Sequence, residues 1–265
     1  MSVAYEDILY EVRDGVAHVT INRSEVRNAV RFRTYEELTD AMRAAAADAS
    51  VGVVVLAGAG RDAFCAGGDV REQEKTRTPQ MGRVHMQRLF ALSLAMRTMD
   101  KPVIAKVRGW CVGSGSELNL FCDLAVAAAN ARFGQPALKV GSVPVWGECQ
   151  LLARLVGERK AREMLLTGRI YDAAQALEMG LVNEVCEDDA LDARVEALCQ
   201  DILAMSPQSV RIAKVCMNSA SDQDFYASFF PHAELLASAY GSPENMEGIR
   251  SFLEKRKPEF RAFRR

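Results

Sequence analysis

Two short segments carry the residue types from which chemistry can be built. "FCAGGD" runs from Phe64 to Asp69 and "GSGSEL" from Gly113 to Leu118. Each is a loop of small residues directly after an apolar run of strand length. Glycines there let backbone N–H groups approach a ligand closely. One N–H from each loop can clamp a single oxygen, which is how a developing oxyanion is held. The second loop also opens a helix, whose N-terminal amides and dipole favour negative charge. Glu117 falls three residues past Ser114, on the same helical face, where a carboxylate can move a proton. Spacing alone leaves a second reading open, a first-turn glutamate that only complements the helix dipole.

Other patterns are weaker. "GAGRDA", from Gly58 to Ala63, fits the loose dinucleotide pattern G-x-G-x-x-A, but its glycines lead into "FCAGGD" rather than a helix. "VGSGS" does not have the order of a nucleophile elbow. The three histidines, His18, His85 and His232, and the seven scattered cysteines show no metal-ligand spacing, so a metal site is not expected. The cysteines read as reduced thiols, mostly filling the core of a cytoplasmic protein.

The elements that position the two loops follow from periodicity. "VAHVTINR" alternates as a strand, while "VGVVVLAG" and "KPVIAKVRG" are continuous apolar runs expected in a sheet buried on both faces. A helix is expected over "RTYEELTDAMRAAAADAS", with Thr34 as N-cap and Glu37 three residues on. Residues from about Arg71 to Gly82 are polar without a period and read as a mobile loop. "RVHMQRLFALSLAMRTMD" reads as a helix. From about Ala153 the texture becomes helical throughout. The division expected is a β/α core over 1–200 carrying the site and a helical region over 201–265.

The chain has 265 residues, 49% of them hydrophobic, ample for one large α/β domain. A formal net charge of −2 gives no reason to expect nucleic acid or an anionic membrane as partner. The acidic start, "MSVAYEDILYEVRDG", does not resemble a signal peptide, and no apolar run is long enough to span a bilayer.

Taken in order, "VTINRSEVRNAV", "FCAGGDV", "KPVIAKVRGWCVGSGSELNLFCDLAVAAANARFGQP", "LTGRIYDAAQALEMGLVNEV" and "FLEKRKPEF" resemble the crotonase superfamily, the enoyl-CoA hydratase/isomerase family. The resemblance spans nearly the whole chain. It implies an α/β spiral of ββα turns with C-terminal helices that build a homotrimer, often paired into a hexamer. It implies an acyl-CoA thioester substrate and no cofactor or metal. Oxyanion donors are implied at the N–H groups of Gly68 and Ser114, the second a position usually held by glycine. CoA or substrate contacts are implied at Arg27, Ala66, Gly67, Gly68, Asp69, Val70, Trp110, Ser142, Trp146 and Lys255.

Hydratases of the family use two glutamates. The first matches Glu117, and at the second position this chain has Ala137. In the following turn, "VPVWGEC", Trp146 would narrow the acyl pocket, and Glu148 stands either as the missing carboxylate or as a helix-start glutamate. The chain is also similar to the dihydroxynaphthoyl-CoA synthases and ketocyclohexane-carboxyl-CoA hydrolases. Ser142 matches a serine of that branch, while Pro144 replaces its acidic residue. The leading expectation is reversible hydration of a 2-enoyl-CoA. Double-bond isomerisation follows, then hydrolysis, ring cleavage or ring closure on a cyclic acyl-CoA. A CoA-binding scaffold with little chemistry is the reading from another class.

Overall fold

The computed structural model describes residues 5–263. In chain order, the hairpin of β1 (Ile8–Arg13) and β2 (Val16–Ile21) leads to α1 (Phe32–Ala47) and β3 (Val53–Gly58). Next come β4 (Ala63–Cys65), α2 (Val70–Thr76), α3 (Pro79–Thr98), β5 (Val103–Val107), β6 (Trp110–Val112) and α4 (Ser114–Phe121). The third turn brings β7 (Leu124–Ala128), β8 (Arg132–Gly134), α5 (Glu148–Val156) and α6 (Glu158–Thr167). The chain continues through β9 (Ile170–Asp172), α7 (Ala173–Glu178), β10 (Glu184–Cys186) and α8 (Leu191–Leu203). It finishes with α9 (Pro207–Ser221), α10 (Gln223–Ala239) and α11 (Pro243–Leu253).

The strands sort into two sheets. The larger has the order β1-β2-β3-β5-β7-β10 and is parallel except for the β1/β2 hairpin. The smaller has the order β4-β6-β8-β9, with only the β8/β9 pair antiparallel. After the β1/β2 hairpin, each of the three turns from β3 to β8 therefore lays one strand in the large sheet, then one in the small sheet, and passes on through helix. This is the crotonase-type ββα spiral, completed by C-terminal helices. The arrangement explains the continuous apolar runs. Val54 and Leu56 of β3 face the main core, while Val53 and Val55 face α8 residues Leu191, Val195 and Cys199. A strand covered on both sides has no polar face to show.

Several local expectations are corrected. The polar stretch from Arg71 to Gly82 is not a loop: α2 and the first turn of α3 occupy it, capped by Asp69 and Thr78. Thr34 lies inside α1 rather than at its N-cap, accepting from Arg31 N at 3.1 Å and donating to Asp7 Oδ2 at 2.6 Å. Glu37 accepts from the amides of Glu6 and Asp7 at 3.0 and 2.8 Å, pinning the start of β1 to this helix. The region past Ala153 is not wholly helical. β9 extends the small sheet and β10 closes one edge of the large one. Residue 200, where the sequence placed a seam, lies inside α8.

The C-terminal helices are fastened to the spiral by buried polar groups. Lys214 of α9 donates from Nζ to Met96 O (3.0 Å), Lys101 O (2.8 Å) and Asp123 Oδ2 (2.7 Å). Asn245 of α11 donates to Gly141 O at 2.9 Å and accepts from Gly241 N at 3.2 Å. No helix among the described residues is long and apolar enough to cross a membrane.

Candidate active site

The parallel strands β4, β6 and β8 end side by side, and their exits form the site. Ligands in α/β sheets gather at such carboxyl ends. Past β4 and β6 the two glycine loops meet. A Cβ placed on Gly113 would sit 3.3 Å from Gly67 Cα, and one on Gly67 would sit 3.8 Å from Ser114 N. Gly67 and Gly113 both hold positive φ, 105° and 58°, a region open to glycine. Val30 pins both flanks of Gly68: Val30 N donates to Gly67 O at 2.9 Å, and Asp69 N donates to Val30 O at 2.8 Å. The Gly68 amide between them donates to no acceptor among the described residues, and neither does Ser114 N, the first amide of α4. Two unused N–H groups thus sit on backbones held against each other. The buried thiols of Cys65 and Cys111 lie behind them, donating to Gly67 O and Gly115 O at 3.8 and 3.4 Å.

One turn into α4, Glu117 is 7% exposed, and Glu148 at the start of α5 is 1% exposed. Burial raises the Glu117 carboxyl well above its ordinary range, the nearby Glu148 charge raises it further, and the Trp146 backbone draws it back only in part. Burial pushes Glu148 up to about 7, against the lowering influence of Ser116 and Gln135 beside it. Neither neighbour satisfies it. Both Glu148 carboxyl oxygens and Ser116 Oγ are buried without a hydrogen-bond partner among the described residues. Gln135 is already engaged, donating to Gly113 O at 3.3 Å and accepting from Ala137 N at 3.3 Å. Glu148 therefore stands beside the Gln135–Ala137 segment, the place where the resemblance implies a second glutamate.

Aromatic rings pack around the two carboxyls. Trp146 is 1% exposed, 5.0 Å from Phe121 and edge-on to Tyr35 at 5.7 Å between ring centroids. Tyr35 meets His85 at 5.3 Å, and His85 meets Tyr240 at 6.4 Å. Burial pushes His85 down to about 3, so the imidazole is neutral. Tyr35 Oη donates to Ser114 Oγ at 2.9 Å. A cavity of about 370 Å³ opens elsewhere, lined by Ala47, Val51, Lys101, Leu203 and Pro207, and carries none of these groups.

The remaining sequence-derived positions divide. Arg27 is exposed in a left-handed conformation (φ 54°), and its carbonyl accepts from Ala66 N at 3.1 Å, which places it beside the Ala66–Val70 loop. Asp69 is committed to structure, capping α2 through Arg71 N and pairing with Arg23 at 3.1 Å. Val70 is the first residue of α2. Ser142 is half-buried, its N–H donating to Ala137 O at 3.0 Å. Trp110 is 37% exposed at the far end of β6, about 10 Å from Gly113 by strand rise. Lys255 is exposed just past α11, while its neighbour Arg256 is occupied by Glu247 and Glu254. Tyr35, Ser116 and Gln135 were missed from the sequence. Gln135 stood inside the quoted "FGQP" and Ser116 inside "GSGSEL", whereas nothing local marks Tyr35.

A family model described as enoyl-CoA hydratase/isomerase matches residues 11–263. Among similar solved structures is an enoyl-CoA hydratase from Mycobacterium avium subsp. paratuberculosis K-10, 30% identical, with a TM-score of 0.85, covering 97% of this chain and 99% of that one. An enoyl-CoA hydratase/isomerase from Xanthobacter autotrophicus Py2 is 33% identical, with a TM-score of 0.88 and coverage of 95% and 94%. An enoyl-CoA hydratase/carnithine racemase from Magnetospirillum magneticum is also 33% identical, with a TM-score of 0.79 and coverage of 96% and 95%.

Proposed function

The chain belongs to the enoyl-CoA hydratase/isomerase family of acyl-CoA enzymes, and from that footing we propose that it catalyses the reversible hydration of a 2-enoyl-CoA. The observation that carries this reading is the second buried carboxyl, Glu148, beside Glu117. Burial raises both carboxyls and the Glu148 charge raises Glu117 further, so the two resist double ionisation, and the form that reacts carries one proton between them. One member is then a base and the other an acid. The ionised carboxylate takes a proton from water as the water oxygen bonds to the β-carbon. The electron pair of the double bond moves onto the thioester oxygen, forming an enolate held by Gly68 N–H and Ser114 N–H. Collapse of the enolate takes the proton of the other carboxyl at the α-carbon, and the pair again holds one proton. Each oxyanion donor contributes roughly 3–4 kcal/mol in comparable sites.

The test is loss of the enoyl absorbance of crotonyl-CoA, measured for the wild type, Glu117→Gln and Glu148→Gln. Both variants are expected to lose activity, Glu117→Gln by about 10²–10⁴-fold. Full activity in Glu148→Gln would remove the two-carboxylate scheme. Isomerisation is the second reading, favoured by the exposure difference, since Glu117 retains 7% and Glu148 only 1%. One carboxylate can carry a proton between α- and γ-carbons. A β,γ-enoyl-CoA that gains conjugated absorbance with Glu148→Gln as well as with wild type would select it. Apolar side chains left exposed on α9 and α10, among them Ile212, Val215, Phe230 and Leu235, support assembly as a homotrimer or hexamer.

A further inference from the structure

We propose that the Ser114 hydroxyl is a third hydrogen-bond donor to the substrate's thioester oxygen, and that Tyr35 is the positioning residue that aims it. This rests on the oxyanion role given above to the Gly68 and Ser114 amides. Ser114 is the first residue of α4, so its Oγ lies at the same helix mouth as its own unused N–H. Tyr35 Oη is 2.9 Å from that Oγ, although 79 residues separate the two in sequence. The direction of the bond follows from the surroundings. Tyr35 is 1% exposed and packed among His85 and Trp146, with no other acceptor for its proton among the described residues. Were Ser114 to donate instead, the phenol proton would be stranded in an apolar wall, an unfavourable arrangement for a buried donor. Ser114 is only half-buried, and its proton has no acceptor among the described residues. With one lone pair taken by Tyr35, the hydroxyl proton is free to turn toward a thioester oxygen held by the Ser114 amide. A hydroxyl that already accepts a bond is also polarised into a better donor.

The probe is a saturated acyl-CoA carrying ¹³C at the thioester carbon, bound to the intact protein and read by difference infrared spectroscopy. In the wild type the carbonyl stretch moves to lower frequency than in free acyl-CoA. Ser114→Ala is expected to give back part of that displacement and to lower kcat on crotonyl-CoA about tenfold, with KM within about twofold. Tyr35→Phe keeps the ring contacts and is expected to give back a smaller part in the same direction. The double variant gives back no more than Ser114→Ala, because Tyr35 acts only through Ser114. An unchanged frequency in bound Ser114→Ala overturns the donor role. A Tyr35→Phe effect that is absent, or that adds independently to Ser114→Ala, overturns the positioning role. If the wild type polarises the carbonyl but does not turn over crotonyl-CoA, the hydration reading falls and this one stands. If it turns over and the variants match it in kcat and frequency, the reverse holds.

Discussion

At the scale of single residues, Glu148 carries the sharpest expectations. The folded protein holds its proton more tightly than an unfolded chain, with a pKa of about 7 against an ordinary value of 4.5. The resulting stability is fully present below the ordinary carboxylate range and falls as pH rises toward about 7. Glu148→Gln removes the charged form. Denaturant unfolding should therefore show the variant gaining on the wild type across that window, by at most about 3 kcal/mol. A parallel pH dependence in the two proteins would contradict it. In kinetics the ionised form is needed as base, so the acid limb of kcat should fall near pH 7 in the wild type and be absent in whatever activity the variant keeps. Residue-level legibility was uneven for a physical reason. Gly68 sits in a glycine loop and Ser114 and Glu117 open α4, so composition and spacing suggested an oxyanion clamp with a carboxylate beside it, and the resemblance assigned the residues. Glu148 was legible only as one of two alternatives, because a glutamate opening a helix is common and its burial is decided by distant rings. Tyr35 was invisible, since its partner is reached through the fold rather than along the chain.

Elements set how firmly those residues are held. A Cβ on Gly113 would press on Gly67 Cα at 3.3 Å, and Gly113 combines φ 58° with ψ −125°. Gly113→Ala should cost roughly 1–3 kcal/mol in strain and misplace the Ser114 amide, so activity should fall further than the thermal midpoint implies. A variant that loses only stability would show that the loop tolerates displacement. The buried Lys214 has a different task, tying α9 to the end of α3 and to Asp123. Lys214→Met leaves Asp123 with only the Val103 amide and takes the ammonium from two carbonyls, and should destabilise the chain by roughly 3–5 kcal/mol in denaturant titration. Most long elements were readable from period, but β9 and β10 are three residues each, too short to show alternation. α2 lies on the surface and has only polar residues after Val70, so it carries no apolar stripe to announce a helix. α10 contains Pro231 and a run of aromatic residues, which masks its period.

For the molecule as a whole, the spiral could be recognised from motif order, because the central motifs, from "FCAGGDV" to "FGQP", carry the exits of β4, β6 and β8 from the small sheet. Assembly and substrate were not legible in that way. Exposed apolar residues on α9 and α10 lead to the expectation that the protein sediments as three or six chains at micromolar concentration; a single chain there would contradict it. Saturating acyl-CoA at about 100 times its dissociation constant should stabilise the fold by about 2.7 kcal/mol. That gain without turnover of any enoyl-CoA would favour the scaffold reading. Gln135 has the widest consequence. One amide side chain braces Gly113 and Ala137 and lies against Glu148. In a laboratory evolution campaign, changes at that position would be pleiotropic, altering anion binding and proton transfer in the same clone. New acyl preferences should therefore be sought along the aromatic wall, where Trp146 can be exchanged while the amide brace stays in place.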